Sequence, residues 1–310
     1  MIPVYNCSDY MVEALKSVLQ QDPGEEIMQI EVVDDCSTDT DVKKLVQSIG
    51  KGRVLYYRQP QNVGSVRNFE TCLNRANGRL IHLLHGDDKV KMGFYNKLLS
   101  LFHRYPEAGA AFCSYAYIDN RSELLYYHRT ESDHDCVFNE YLLQMAEQCA
   151  TQYVSIAVKR EVYEKLGGFF GVTYGEDWEM WTRIAKHYPL AYTPEVLAEY
   201  RVHNTNISAD SFRTGQNIRD ISTVIDQISN HVPPSHQQKI KSAARKHYAK
   251  YMLANSEYIW HVNRDRNTVF NQVEGALQMH TDHYMILKTL KIFAKILLHP
   301  FRKFIGNLKD

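Results

Sequence analysis

The run Leu80-Ile81-His82-Leu83-Leu84 is apolar on nearly every position, and it stops at His85-Gly86-Asp87-Asp88. A strand without a polar face belongs inside a sheet that is covered on both sides, which is the setting of parallel sheets. Such sheets offer ligands the carboxyl ends of their strands. Two adjacent carboxylates at that place make a site for a hard divalent cation, which takes one or two protein carboxylates and completes its shell with substrate phosphates. Gly-Asp-Asp is also ordinary turn and capping chemistry. The motif alone leaves both readings standing.

The rest of the first two hundred residues repeats the alternation. Strand patterns fall at 30–33, 54–57, 110–117, 154–158 and 197–202, and helical patterns at 9–20, 42–49, 66–76, 93–105, 160–166 and 178–187. Ser8 stands as the expected cap of the first helix, and Thr38 with Asp39 as caps after the second strand. Strands alternating with helices predict an α/β chain with a mostly parallel sheet flanked by helices. Residues 2–6 read as the last part of a core strand, so that strand is expected to begin upstream of Met1. Long helical patterns take over beyond about 209, broken at Pro233-Pro234 and near 263–267. The reading is therefore a catalytic domain over 1–210 and a helical region over 211–310.

Lys plus Arg and Asp plus Glu stand at 36 each. No global field draws the chain to nucleic acid, which excludes that partner. Six cysteines are scattered with no CxxC pair, which suits reduced thiols better than a disulfide framework or a zinc site. No run reaches the about 20 apolar residues that span a bilayer, and nothing reads as a signal peptide. The expected location is cytoplasmic.

Four further constellations sit at strand ends. Pro3-Val4-Tyr5-Asn6 closes the first strand. Val33-Asp34-Asp35-Cys36-Ser37-Thr38-Asp39 places Asp35 where an acidic side chain can accept from a nucleobase imide or a ribose hydroxyl, or simply cap a helix. In Asn62-Val63-Gly64-Ser65-Val66-Arg67-Asn68, Arg67 falls in a first helical turn, where the dipole disfavours a cation. It therefore suggests an anionic partner, either a diphosphate or Asp87; a solvent-facing arginine is the other reading. Gly175-Glu176-Asp177-Trp178 turns a loop into a helix, where Asp177 is either a cap or a base held on a fixed element. Trp178 offers either core packing or an indole face for a sugar ring.

These five motifs, in this order and spacing, resemble the family-2 inverting glycosyltransferases of GT-A fold, bacterial in type, over about residues 2–208. Tyr200-Arg201-Val202-His203 is similar to the segment that closes the catalytic domain in many members. The resemblance implies that Asp35 contacts the base of the donor nucleotide, with Tyr5 and the Pro3 backbone lining the same pocket and Asp87 on the ribose side; Arg67 joins the donor-binding residues through the anionic partner that its first-turn position suggests. It implies Asp88 as a ligand of Mn²⁺ or Mg²⁺, with His203 reaching either the diphosphate or the metal. Asp177 becomes the base that deprotonates the acceptor hydroxyl, with Glu176 and Trp178 in the sugar or acceptor region. The donor is a nucleotide-diphosphate sugar, UDP favoured, and the acceptor a glycan or lipid-linked hydroxyl in surface polysaccharide or glycolipid assembly. Cys36 stands where the family usually has Gly or Asn, and Lys89 follows the carboxylate pair. A sugar-nucleotide or glycan-binding module without catalysis is the competing reading, since fold does not fix function. A nucleotidyltransferase would need a glycine-rich basic loop that Cys7-Ser8-Asp9 does not supply.

Residues 281–310 interleave Ile286, Leu287, Leu290, Ile292, Phe293, Ile296, Leu297, Leu298, Phe301, Phe304 and Ile305 with Lys288, Lys291, Lys295, Arg302, Lys303 and Lys309. A basic amphipathic helix fits the inner face of an anionic membrane. A helix packed on the catalytic domain, or on a second subunit in a homodimer, fits equally.

Overall fold

A computed structural model describes residues 1–204 and 206–306, with backbone alone from 300 to 306. Lys309 and Asp310 of the expected basic tail, and the side chains of Phe301, Arg302, Lys303, Phe304 and Ile305, lie outside the described residues. The chain divides into two compact units. One is Met1–Met145 with Cys149–His203, and the other is Ala146–Gln148 with the residues from Asn204 onward.

In the first unit, β1 (Ile2–Val4), α1 (Ser8–Leu19), β2 (Glu31–Asp34), α2 (Val42–Gly50), β3 (Leu55–Arg58) and α3 (Ser65–Arg75) follow one another. The three strands form a parallel sheet in the order β1-β2-β3. β2 is buried along its whole length. It sends Val32 into one core with Leu15 and Val46, and Val33 into another with Phe69 and Cys72. The two-residue period of a strand thus serves two helical layers at once.

β4 (Leu80–His82), β5 (Lys89–Val90), α4 (Phe94–Arg104), β6 (Ala110–Ile118), β7 (Leu124–Tyr127), β8 (Cys136–Phe138), α5 (Leu142–Glu147), β9 (Ile156–Lys159), α6 (Arg160–Leu166), α7 (Glu176–His187) and β10 (Leu190–Arg201) complete the sequence of elements. The second sheet runs β4-β9-β6-β10-β5, with β7 on β6 and β8 on β10. β6 and β10 are parallel, and the other pairs in it are antiparallel. The apolar run does not end with β4. Leu84 N donates to Met1 O at 3.0 Å and Gly86 N to Pro3 O at 3.1 Å, so 84–86 lie along β1 and join the sheets. A Cβ on Gly86 would come within 2.7 Å of Cys7 Sγ and Val4 Cγ1. Only glycine permits that approach.

Several local expectations are corrected. The strand expected over 197–202 starts at Leu190 and runs through Pro194 to Arg201. The proline sits at the register shift between Thr193 and Val196, where an irregular ladder tolerates a residue without an N–H. Ser8 is inside α1 and does not cap it; Cys7 holds the cap position without a side-chain bond. Asp39 Oδ2 accepts from Ser8 N at 3.0 Å instead, so the residue expected to cap the second helix serves the first. Asp41 caps α2, accepting from Lys44 N at 3.1 Å.

The second unit contains α8 (Ile207–Thr214), α9 (Gln216–His231), α10 (Pro234–Asn263), α11 (Arg266–Met279) and α12 (His283–Gly306). Pro234 lies in the first turn of α10, where its missing N–H costs nothing. Asn217 and Gln272, both buried, exchange two amide hydrogen bonds of 2.9 Å and fix α9 on α11. No helix among the described residues is long and apolar enough to cross a membrane.

Candidate functional site

After 84–86 the chain turns, with Asp88 N donating to His85 O at 3.1 Å. His85, Asp87 and Asp88 each offer a ligand atom, and these atoms lie within 4.8 Å of one another. The three side chains differ in state. The His85 ring stacks on Phe69 with centroids 4.8 Å apart and packs on Tyr153 at 4.4 Å. Burial lowers its pKa, so the ring is neutral at pH 7. Its Nε2 is buried with no hydrogen-bond partner among the described residues, an arrangement that native interiors rarely leave unexplained.

Asp87 Oδ2 lies 3.0 Å from His203 Nε2. Burial pushes the Asp87 carboxyl up, but the His203 hydrogen bond and neighbouring charge outweigh it and hold it below the usual range. Asp88 goes the other way, raised well above that range by burial and then by the charge of Asp87, although its Oδ1 accepts from Arg201 N at 2.8 Å. Two close carboxylates share the difficulty of a second negative charge. A cation among them removes it, and two carboxylates with a neutral imidazole form a donor set suited to a divalent ion.

Arg201 organises this turn. Its side chain is fully buried; Nε donates to Asp87 O at 2.8 Å, Nη1 to Asp119 O and Ser122 Oγ at 3.0 and 2.9 Å, and Nη2 to Glu13 Oε2 at 3.1 Å. The guanidinium also lies 4.8 Å over the Tyr10 ring, which in turn packs on His203 at 4.6 Å. The end of β10 is thereby locked to the Asp87–Asp88 turn and to α1.

Asp35 is buried and committed. Its Oδ1 accepts from Val63 N at 2.7 Å, and Oδ2 from Gly64 N and Asn62 Nδ2 at 3.0 and 3.1 Å. It caps no helix. It holds the Asn62-x-Gly64 loop, at the entrance of α3, against the end of β2. Burial raises its pKa, against those backbone hydrogen bonds. Pro3 is buried within β1, whereas Tyr5 is half exposed just beyond it. Asn6 Oδ1 accepts from Thr38 N at 2.8 Å, joining the loops that follow β1 and β2. Arg67 is exposed and makes no ion pair among the described residues. The expected alternative partner, Asp87, is taken by His203.

Asp177 is inside α7 rather than ahead of it. Gly175, at φ 86°, opens the helix, and Asp177 Oδ1 accepts from Trp178 N at 2.8 Å. Burial pushes its pKa up to about 6 against those first-turn hydrogen bonds. Glu176 is buried and accepts from the Tyr153 hydroxyl at 3.1 Å. Tyr153 therefore touches both groups, with its ring on His85 and its hydroxyl on the residue next to Asp177. Trp178 corrects an expectation: it is 3% exposed, with Nε1 donating to Met145 O at 2.6 Å. It anchors α7 and offers no face to a sugar.

His85, Tyr153 and the role of Arg201 escaped the sequence reading. His85 alone carried a signal, as an imidazole two residues before Asp87 at a strand end. The others depend on contacts between residues distant along the chain.

Residues 1–167 match the sequence profile of the family described as glycosyl transferase family 2. A Bacillus subtilis protein named for teichuronic acid biosynthesis, the glycosyltransferase TuaG, is 28% identical over 221 residues, covering 69% of this chain and 82% of the relative. GgaB of the same organism, named for minor teichoic acid biosynthesis, is 32% identical over 108 residues, 34% of this chain and 12% of that protein. Among solved structures, S. aureus TarS 1-349 in complex with UDP-GlcNAc superposes with a TM-score of 0.67 at 12% identity, covering 97% of this chain and 90% of that one. A longer TarS chain, of which 53% is covered, gives 0.64. The mannosyltransferase PcManGT of Pyrobaculum calidifontis, in complex with GDP-Man and Mn²⁺, gives 0.57 at 20% identity over 98% and 81% of the two chains. These structures share the GT-A fold with this chain.

Proposed function

The chain belongs to glycosyl transferase family 2, and from that premise we propose that this glycosyltransferase moves one sugar from a UDP-sugar to an acceptor hydroxyl with inversion, using a divalent cation. The observation that carries the reading is the trio His85, Asp87 and Asp88, linked through Tyr153 to the first turn that bears Asp177. His85, Asp87 and Asp88 would hold the cation, with His203 supporting Asp87; when bound, the ion supplies a countercharge for the leaving diphosphate.

The chain's own residues divide the remaining work. Tyr5 and Asp35 serve the nucleotide, Tyr5 by its exposed ring and Asp35 by any acceptor capacity that the 62–64 loop leaves. Arg67, unpaired at the start of α3, faces diphosphate charge. Asp177 takes the acceptor proton as that oxygen bonds to the anomeric carbon and the bond to the diphosphate breaks on the opposite face. A base with its pKa near the working pH is the efficient one. The TarS complex supports UDP as the nucleotide. Relatives named for teichuronic and teichoic acid biosynthesis support an acceptor on a surface polysaccharide or its lipid-linked precursor.

The test is a panel of sugar nucleotides with Mn²⁺ or Mg²⁺, read by nucleoside diphosphate release and by the anomeric configuration of the product. UDP-sugar turnover that EDTA stops, with inverted product, is the expected result. Turnover in chelator removes the metal, a retained configuration removes the single displacement, and donor binding without turnover restores the non-catalytic module.

A further inference from the structure

α12 has two apolar faces. Met285, Thr289, Ile292 and Ile296 are buried, and their spacing marks the stripe of a packed helix. That stripe accounts for the contact of α12 with α10 and α11 in its own unit. The opposite face is not polar. Leu287, Leu290, Leu297 and Leu298 are 60%, 59%, 71% and 50% exposed, with Ile286 at 46%. A shallow groove lined by Phe270, Val273, Leu277 and Phe293, with Glu274 and Gln278 on its α11 side, adjoins this face, since Phe293 follows Leu290 by three residues and so neighbours it on the helix. Contiguous exposed apolar surface marks an interface.

The flank of that face is basic. Lys291 is exposed on it, and Lys250 reaches from α10 to lie 5.2 Å over the Tyr284 ring. Neither lysine has a carboxylate partner among the described residues. Lys288 and Lys295 both pair with Glu257, so their charge is already answered within the protein. The zero net charge of the chain hides an asymmetry: 234–310 carries thirteen Lys or Arg against five Asp or Glu.

We propose that the outward face of α12 docks on an anionic lipid surface. The leucines enter the acyl boundary while Tyr284, Lys250 and Lys291 stay at headgroup level, as amphipathic lysines and tyrosines do. The lysines argue against a second copy of the chain. A twofold contact sets each patch on itself, and lysine is depleted from protein interfaces.

The experiment is flotation of the full chain with phosphatidylcholine vesicles, with and without phosphatidylglycerol. Wild type should float with the anionic vesicles and be released by salt. Leu287→Glu with Leu290→Glu should weaken flotation about tenfold or more. Lys250→Glu with Lys291→Glu should weaken it for anionic vesicles alone. Both pairs are surface changes, and an unaltered thermal melt and donor turnover should accompany them. No flotation, or flotation that neither pair alters, overturns the proposal. A dimer in sedimentation that the leucine pair converts to monomer also overturns it, in favour of self-association.

Discussion

Asp177 combines two opposed demands in one side chain. Burial pushes its pKa up to about 6, so the folded protein binds that proton more tightly than the unfolded chain does. Stability is then fully present at low pH and is lost as pH rises through about 6, the reverse of an ion-paired carboxylate. Asp177→Asn should raise Tm by a few degrees at pH 7.5, roughly the scale of 1 kcal/mol in a chain of this size, and change it little at pH 4 by calorimetry. The same variant should lose about 10²–10⁴-fold in turnover with the donor KM little changed. In the parent, kcat/KM should fall as pH drops through about 6 if Asp177 is the proposed base, since its carboxylate is then protonated. A variant that is more stable and inactive fits the trade between stability and function. Ordinary turnover, or a lower Tm at neutral pH, returns Asp177 to a structural role in the first turn of α7.

Among the elements, the loop at 62–64 and the end of β10 respond differently to loss of their ties. Asp35→Ala removes three hydrogen bonds to that loop. It should weaken UDP binding by about 1.5–3 kcal/mol and speed amide exchange at Val63 and Gly64, which separates a loop effect from loss of a base contact alone. Arg201→Lys keeps the charge but cannot reproduce the guanidinium fork. It should cost about 1–3 kcal/mol in denaturant unfolding, and raise the cation concentration needed for half-maximal turnover more than it lowers kcat. The difference in legibility between the two is physical. The Asn62-x-Gly64 loop declares itself by glycine, and the strand–helix alternation by period, so both read directly from the sequence. Trp178 does not: an aromatic beside a carboxylate looks the same whether its ring meets a sugar or Met145, and only packing decides. The early start of β10 was hidden for a related reason, since a strand can run through Pro194 only where the partner's register slips, and that slip is set by packing.

For the whole molecule, the cation reading predicts a bulk signature without any substrate. Mn²⁺ should raise Tm with concentration as a ligand of the native state does, EDTA should reverse it, and His85→Ala should abolish most of the rise. An unchanged melt in Mn²⁺ would leave the orphaned His85 Nε2 without that explanation. Asp87-Asp88 was legible as a pair because its members are adjacent in sequence. His85 with Tyr153, and Arg201 with Glu13, were not, because no short-range pattern encodes a contact between residues so far apart. The tie from Arg201 to Glu13 spans 188 residues, and this gives the fold a timetable. During synthesis a chain stopped between residues 177 and 201 has made Asp87, Asp88 and Asp177, yet lacks the side chain that ties the Asp87–Asp88 turn to α1. Contacts of such sequence separation form late. A ribosome-bound or prematurely released fragment should therefore carry the motifs of a transferase without its geometry, and donor consumption should begin only after the last strand of the first unit has docked.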